Sequence, residues 1–258
     1  MPPEVQLVAT GIEPRQKLRY HAAKSTARTL EVAIDMDVTA GDMESALPHM
    51  VMTLSVLVED VLYDGRMKLR TTVRDVEAHE RITSPIAPAS LGAPTDAMRG
   101  LVMTSTLYRD GHVADASIEG GNQFDVGTLG GNFEQVMMPL PDEPVGVGAV
   151  WRSSRPIQQG AMKLKAVSTI TVTAMNGDNI SFTIDTQAHG DDQVFRDARE
   201  SMDMKDIVGT GKGKGTIDLA TLAMTSELDT DFRSDMTAPG ETAPTPMRMQ
   251  TTTKVIAR

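Results

Sequence analysis

The residues that could carry acid–base or metal chemistry are five histidines, His21, His49, His79, His112 and His189, and two carboxylate pairs. The histidines show no HxH or HxxxH spacing, so no local segment presents two imidazoles to one ion. Asp35 with Asp37, and Asp229 with Asp231, stand two residues apart, on one face of an extended chain. Two carboxylates divide acid and base roles only when burial splits their pKa values. Both pairs alternate with an apolar face and are therefore expected in solvent. Gly209, Gly211, Gly213 and Gly215 with Lys212 and Lys214 invite comparison with a phosphate loop. Their spacing fits neither GxxxxGK[ST] nor GxGxxG, and the run continues in phase into Ile217 and Leu219, a strand and not a helix N-terminus. No serine or threonine sits in a nucleophile elbow. The absence of cysteine removes thiol nucleophiles, disulfides and thiolate metal ligands. These residues give no catalytic group, no metal site and no cofactor; the expectation is a protein that is not an enzyme.

What the sequence does supply is a two-residue period. Leu30, Val32, Ile34, Met36 and Val38 alternate with Thr29, Glu31, Ala33, Asp35 and Asp37, a strand with one wet face. Met50, Met52, Leu54, Val56 and Val58 repeat the pattern. After Asp64-Gly65 the apolar phase moves to Met67, Leu69, Thr71 and Val73, which predicts a hairpin with a two-residue turn, Val56 facing Val73, Val58 facing Thr71 and Leu62 facing Met67. A second such turn at Asp110-Gly111 would pair Met103, Ser105 and Leu107 with Ile118, Ala116 and Ala114. Around Asn176-Gly177-Asp178 the phase is kept, which predicts a three-residue loop with Val172 facing Phe182. Leu18, Tyr20 and Ala22 alternate with Lys17, Arg19 and His21. Met224, Leu228, Phe232 and Met236, and then Met247, Met249, Thr251, Thr253 and Val255, mark two closing strands.

Between these elements, Ser84–Thr95 reads as a surface loop leading to a short helix near Thr95–Val102 with Thr95 as its N-cap. A glycine-rich stretch (Gly120, Gly121, Gly127, Gly130, Gly131) precedes a second short helix at Asn132–Met138, stopped by Pro139. Asp191–Asp206 reads as a loop or ragged helix. Residues 1–16, punctuated by Pro2, Pro3, Gly11 and Pro14, read as an irregular leader. The fold expected is mainly β, a single curved antiparallel sheet or half-barrel over 17–258, with the two short helices covering its concave face.

Of the 258 residues 40% are hydrophobic but only 3% aromatic, while 18 are methionine. The net charge of -10 argues against nucleic acid or an anionic membrane surface as partner, since phosphate binding needs a basic face. No run of 18 apolar residues is present, so no helix of membrane-spanning length is expected. The opening Met1-Pro2-Pro3-Glu4 has neither the basic nor the apolar region of a signal peptide: either the protein is cytosolic or a signal precedes Met1.

Two segments, Gly11-Ile-Glu-Pro-Arg-Gln-Lys-Leu-Arg-Tyr20 and Pro139-Leu-Pro-Asp-Glu-Pro-Val-Gly-Val-Gly-Ala-Val-Trp151, resemble those of a family of uncharacterised exported bacterial β-rich proteins, often lipoproteins. Both segments are structural punctuation and bring no functional residues with them. The resemblance implies export to the cell envelope, periplasmic or anchored at the outer membrane, with a signal and a lipid anchor upstream of Met1. More loosely, the chain looks like the half-barrel of lipoprotein carriers, a curved sheet over a greasy concavity.

Met36, Met50, Met52, Met67, Met103, Met224, Met236, Met247 and Met249 all take the inward phase of their strands. Methionine is flexible and polarizable, and lines either an ordinary core or a surface that repacks around varied apolar ligands. The inward glycines would let a ligand, a helix or another strand come close, or mark a bend. The expected ligand-lining set is Ile34, Met36, Met50, Met52, Leu54, Val56, Met103, Ile170, Val172, Phe182, Ile184, Gly211, Gly213, Met224, Leu228, Phe232 and Met249, binding a lipid or other hydrophobic small molecule. The alternative expectation is a structural or interaction protein of the envelope, with a filled core and a protein partner of unknown identity.

Overall fold

The computed structural model describes residues 2–119, 137–159, 162–196 and 201–258. Its strands are β1 (Glu4–Ala9), β2 (Ala27–Ala40), β3 (Met43–Ala46), β4 (His49–Val61), β5 (Met67–His79), β6 (Val102–Leu107), β7 (Val113–Glu119), β8 (Val150–Gln159), β9 (Met162–Asn176), β10 (Asn179–His189), β11 (Gln193–Arg196), β12 (Ser201–Asp218), β13 (Met224–Thr237) and β14 (Thr245–Ala257). All belong to one antiparallel sheet of order β1-β8-β9-β10-β12-β13-β14-β2-β4-β5-β6-β7, with β3 on β2 and β11 on β12. Among the described residues β1 pairs only with β8 and β7 only with β6, so the sheet is not closed into a barrel.

The sheet nevertheless curls strongly. Val255 of β14 and Val113 of β7 line the same internal cavity of about 40 Å³. Five strand spacings separate them, about 24 Å in a flat sheet. One buried cluster accordingly joins Trp151, Ile170 and Ile180 from one side of the sheet to Val58, Met67, Leu107 and Val113 from the other.

The inward phases are as expected, but the turns that set them are not. Both Asp-Gly hairpins have three-residue loops: Leu62 pairs with Arg66 across Tyr63-Asp64-Gly65, and Tyr108 with His112 across Arg109-Asp110-Gly111. Each closes on a glycine at positive φ (+83° and +86°), with the preceding aspartate accepting the N–H two residues on. An odd loop alone would put the apolar residues of the second strand on the wrong face. A bulge near Glu59, and another at Asp115 (φ 54°), each restore the phase by one extra residue. The observed pairs are therefore Val56–Thr71 and Val58–Leu69, two residues along β5 from those expected, with Leu62 facing Arg66 instead of Met67. Met103 does face Ile118, whereas Leu107 faces Val113 and Thr106 faces Ala114. The third hairpin mirrors this arrangement. Asn176 pairs with Asn179 across only Gly177-Asp178, and a bulge at Thr173 brings Val172 opposite Phe182 as expected.

Other expectations are corrected. Glu4–Ala9, placed in an irregular leader, is an edge strand on β8; Gln193–Arg196 and Ser201–Asp206 are strand instead of loop or helix. The first helix is α1 (Gly92–Met98), preceded by a 3-10 turn at Pro88–Leu91. Thr95 lies inside it, its hydroxyl donating to the Leu91 and Gly92 carbonyls and not capping the N-terminus. Two helices covering the concave face are not present among the described residues. Gly120, Gly121, Gly127, Gly130, Gly131 and most of the expected Asn132–Met138 helix lie outside those residues, and Met137–Met138 are non-helical.

One end of the curled sheet is closed by a strap, residues 10–26. Its backbone N–H groups reach in turn Val147 (from Ile12), Val145 (Gln16), Arg109 (Tyr20), Leu219 (His21) and Val58 (Ser25), all within 2.8–3.0 Å. The strap thus ties the β8 side, the β6–β7 turn, the β12–β13 turn and β4. Leu18, Tyr20 and Ala22, alternating as the sequence suggests, are its buried side chains (1%, 0% and 2% exposed). The Tyr20 hydroxyl donates to the Met138 carbonyl and accepts from the Met138 N–H, both at 3.1 Å. Trp151, fully buried, donates its indole N–H to Pro139 at 2.9 Å.

Burial raises the Tyr20 phenol well above its ordinary value of 10.0, only partly opposed by the Met138 hydrogen bond. The folded state therefore disfavours phenolate: this contribution is full below pH 10 and is lost as pH rises beyond it. Tyr20→Phe should cost about 1–3 kcal/mol at neutral pH, because the Met138 N–H and C=O lose their partner. It should also flatten the loss of stability between about pH 9 and pH 11 relative to the parent, both read by denaturant unfolding.

Candidate functional site

The expected lining residues share one face of the sheet, and the register stacks them in rows. One row runs Ile170–Ile184–Gly213–Leu228–Thr253–Ile34–Met50 across seven strands. The next, toward the strap, runs Val172–Phe182–Gly215–Ser226–Val255–Val32–Met52. Away from the strap come Thr186–Gly211–Thr230–Thr251–Met36 and Ala188–Gly209–Phe232–Met249–Val38.

Burial divides this face. Leu54, Val56, Met103, Ile170, Val172, Phe182, Met224 and Phe232 are buried. Ile34, Met50, Met52 and Ile184 are half-buried against the main core cluster, and Met249 against a smaller one of Leu164, Met204, Ile207 and Phe232. Met36, Leu228 and Gly213 are also half-buried, while Gly211 is buried. The half toward the strap is filled; the other half is an apolar face that the described residues cover only partly. The cavity of about 40 Å³, lined by Leu30, Leu54, Met103, Met137 and their neighbours, has room for a few water-sized groups at most.

The inward glycines are spaces already taken by neighbours. A Cβ on Gly213 would stand 2.6 Å from the Glu227 carbonyl oxygen and 3.1 Å from both the Ile184 and Leu228 side chains. On Gly215 it would meet the Phe182 ring at 3.0 Å. Large cross-strand side chains thus lie over the glycines, and the curl of the sheet needs those positions empty. At Gly211 the same atom would meet nothing nearer than 3.4 Å.

The opposite face holds the charges. Asp231 accepts from Arg248 and Arg233, which hold its carboxyl well below the ordinary range. Asp37 pairs with Arg81 at 2.8 Å. Asp35 lies 2.9 Å from His49 Nδ1. Each carboxylate of the two sequence pairs is a half-exposed or exposed surface group, as the alternation implies. The rings of His49 and His79 stand 6.0 Å apart across β4 and β5, yet no group of three metal-ligating side chains forms among the described residues. Lys212 and Lys214 are exposed on the outward face of β12.

A polar cleft of about 260 Å³ at the strapped end was not foreseen. Its lining comes from residues 16–19, 21, 109, 178 and 219, positions too far apart in sequence to leave a local signal.

With this geometry in hand, comparison with known proteins adds one match. Residues 109–221 match the model of a family of unknown function (DUF6263), so the middle of the chain, from the β6–β7 turn to the β12–β13 turn, is similar to an uncharacterised family. No curated protein matches. No helix among the described residues is long and apolar enough to cross a membrane.

The two glycines separate packing from space. Gly213→Ala should destabilise by about 1 kcal/mol or more, since backbone must move. Gly211→Ala, unstrained, should be neutral or stabilising by up to about 1 kcal/mol. Thermal melts of the two variants side by side check this.

Proposed function

We propose that this chain is a non-catalytic protein of the cell envelope, a half-barrel holding a lipid or other hydrophobic molecule against the uncovered part of its apolar face. The observation that carries the reading is the run of half-buried Ile184, Leu228, Met249, Ile34, Met36 and Met50 on neighbouring strands of one sheet. A largely apolar surface of this kind, interrupted by Thr230, Thr251 and Thr253, gains free energy when an apolar partner displaces its water. The methionines can adjust their side chains to ligands of different shape. The ligand lies on this face and not within the closed core, whose cavity has no room for an acyl chain. Envelope location, and a lipid anchor upstream of Met1, rest on the resemblance carried by Gly11–Tyr20 and Pro139–Trp151.

A second reading has its own support. Phe182, Ile184 and Leu228 already fill the space over the glycines, and the half toward the strap is packed core. On that reading the protein is a structural or interaction component whose apolar face meets a protein.

Native mass spectrometry of gently purified protein should show a bound apolar species. An uncharged fluorescent apolar probe should bind at micromolar concentration and be displaced by lipid. Met36→Glu with Met249→Glu should weaken probe binding by about tenfold or more, because a carboxylate would have to be desolvated. A clean apo mass together with no probe binding would overturn the carrier reading and favour the second.

A further inference from the structure

The polar cleft at the strapped end runs against the charge of the rest of the molecule. In a chain of net charge -10, its walls carry Lys17, Arg19, His21 and Arg109 against a single carboxylate, Asp178. The strap supplies the first three, and its bonds to the sheet fix them. The Tyr20 N–H bonds the Arg109 carbonyl at 2.9 Å, which holds the β6–β7 turn beside the strap. The His21 N–H bonds the Leu219 carbonyl at 3.0 Å, which forms the opposite wall.

Two of these basic residues already have partners. Arg19 is only 14% exposed; it bonds the Leu18 and Pro141 carbonyls at 2.7 Å each and pairs with Asp142. His21 Nε2 lies 2.9 Å from Asp178. Lys17 and Arg109 have no ion pair and no side-chain hydrogen bond among the described residues. Both are exposed, yet both face the one cleft. The balance of the site is therefore two uncompensated positive charges over a concavity that a second row of basic groups lines. Two basic residues lining one cleft, one of them carrying a forked guanidinium, suit a phosphate oxyanion.

We propose that this cleft is a binding site for a phosphate group, either free phosphate or the headgroup of a phospholipid. Lys17 acts as a point charge, and the Arg109 guanidinium supplies the planar fork. Arg19 and His21, held by Asp142 and Asp178, shape the wall. The site is distinct from the apolar face and does not depend on that face binding anything.

The test is isothermal titration at low salt, first with inorganic phosphate and then with a short-chain phospholipid below its micelle concentration. The variants are the parent, Lys17→Gln/Arg109→Gln, and Lys212→Gln/Lys214→Gln as a charge-matched control on the outer face of β12. Lys17 and Arg109 are exposed, so unchanged melting temperatures should confirm intact folding. The expected result is that the Lys17/Arg109 variant raises the dissociation constant by about tenfold or more while the control leaves it unchanged. Binding of phosphate itself identifies the free anion as sufficient; binding of phospholipid alone identifies the headgroup as the source. No heat with either ligand at millimolar concentration, or equal binding by parent and the Lys17/Arg109 variant, would overturn the proposal. Inorganic phosphate has no apolar part, so failure of the apolar face to bind a probe leaves this result standing on its own.

Discussion

Among the described residues one residue, Met138, satisfies the buried Tyr20 hydroxyl, and it does so twice, its carbonyl accepting from the hydroxyl and its N–H donating to it. A phenol enclosed without partners would oppose folding by more than its ring contributes. The two contacts therefore specify where the strap sits against the segment that leads into β8. From that placement follow the seating of Leu18 and Ala22, the approach of Arg109 to the strap, and the contact of the β12–β13 turn with His21. A strongly curled sheet exposes the ends of its apolar rows at each rim. Here one rim is sealed by backbone hydrogen bonds from a segment that is not itself part of the sheet.

Much of this was legible from alternation alone. The inward phase of Leu30–Val38, Met50–Val58, Leu69–Val73, Met224–Met236 and Met247–Val255 could be read because each side chain chooses between two faces. The alternation of Leu18, Tyr20 and Ala22 could be read as well, but not that this segment straps the rim instead of joining the sheet. Loop lengths could not be read in this way, because face preference reports only whether loop plus bulges adds an odd or even number of residues. In each of the three hairpins the loop differs by one from the simplest solution and a bulge compensates, at Glu59, Asp115 and Thr173. A bulge leaves almost no compositional mark when its residue is polar and outward. β1 escaped notice because Pro2 and Pro3 stand immediately before it and make the opening of the chain read as irregular. The basic cleft escaped because its walls meet only in the folded chain.

The two faces obey different rules, and this orders the candidate sites. Outward, charges pair across strands, as Asp231 does with Arg248 and Lys254 with Glu227, in solvent where each pair contributes little. Inward, aliphatic residues and methionine dominate, with threonines such as Thr230, Thr251 and Thr253 between them, and space is regulated by omitting side chains at Gly213 and Gly215. The half-buried apolar side chains therefore lie on the inner face, and the basic residues of the cleft at the strapped rim.

The position of β14 has a consequence for how the chain must come together. Although it is the last strand in sequence, it lies in the interior of the sheet, flanked by β13 and by β2, whose residues Ala27–Ala40 come near the beginning. Neither half can finish its hydrogen bonding until these distant segments meet. Assembly is then dominated by long-range closure, which is slow, and the early strands stay unpaired along one edge while the remainder is made. A chain wired in this way commits late.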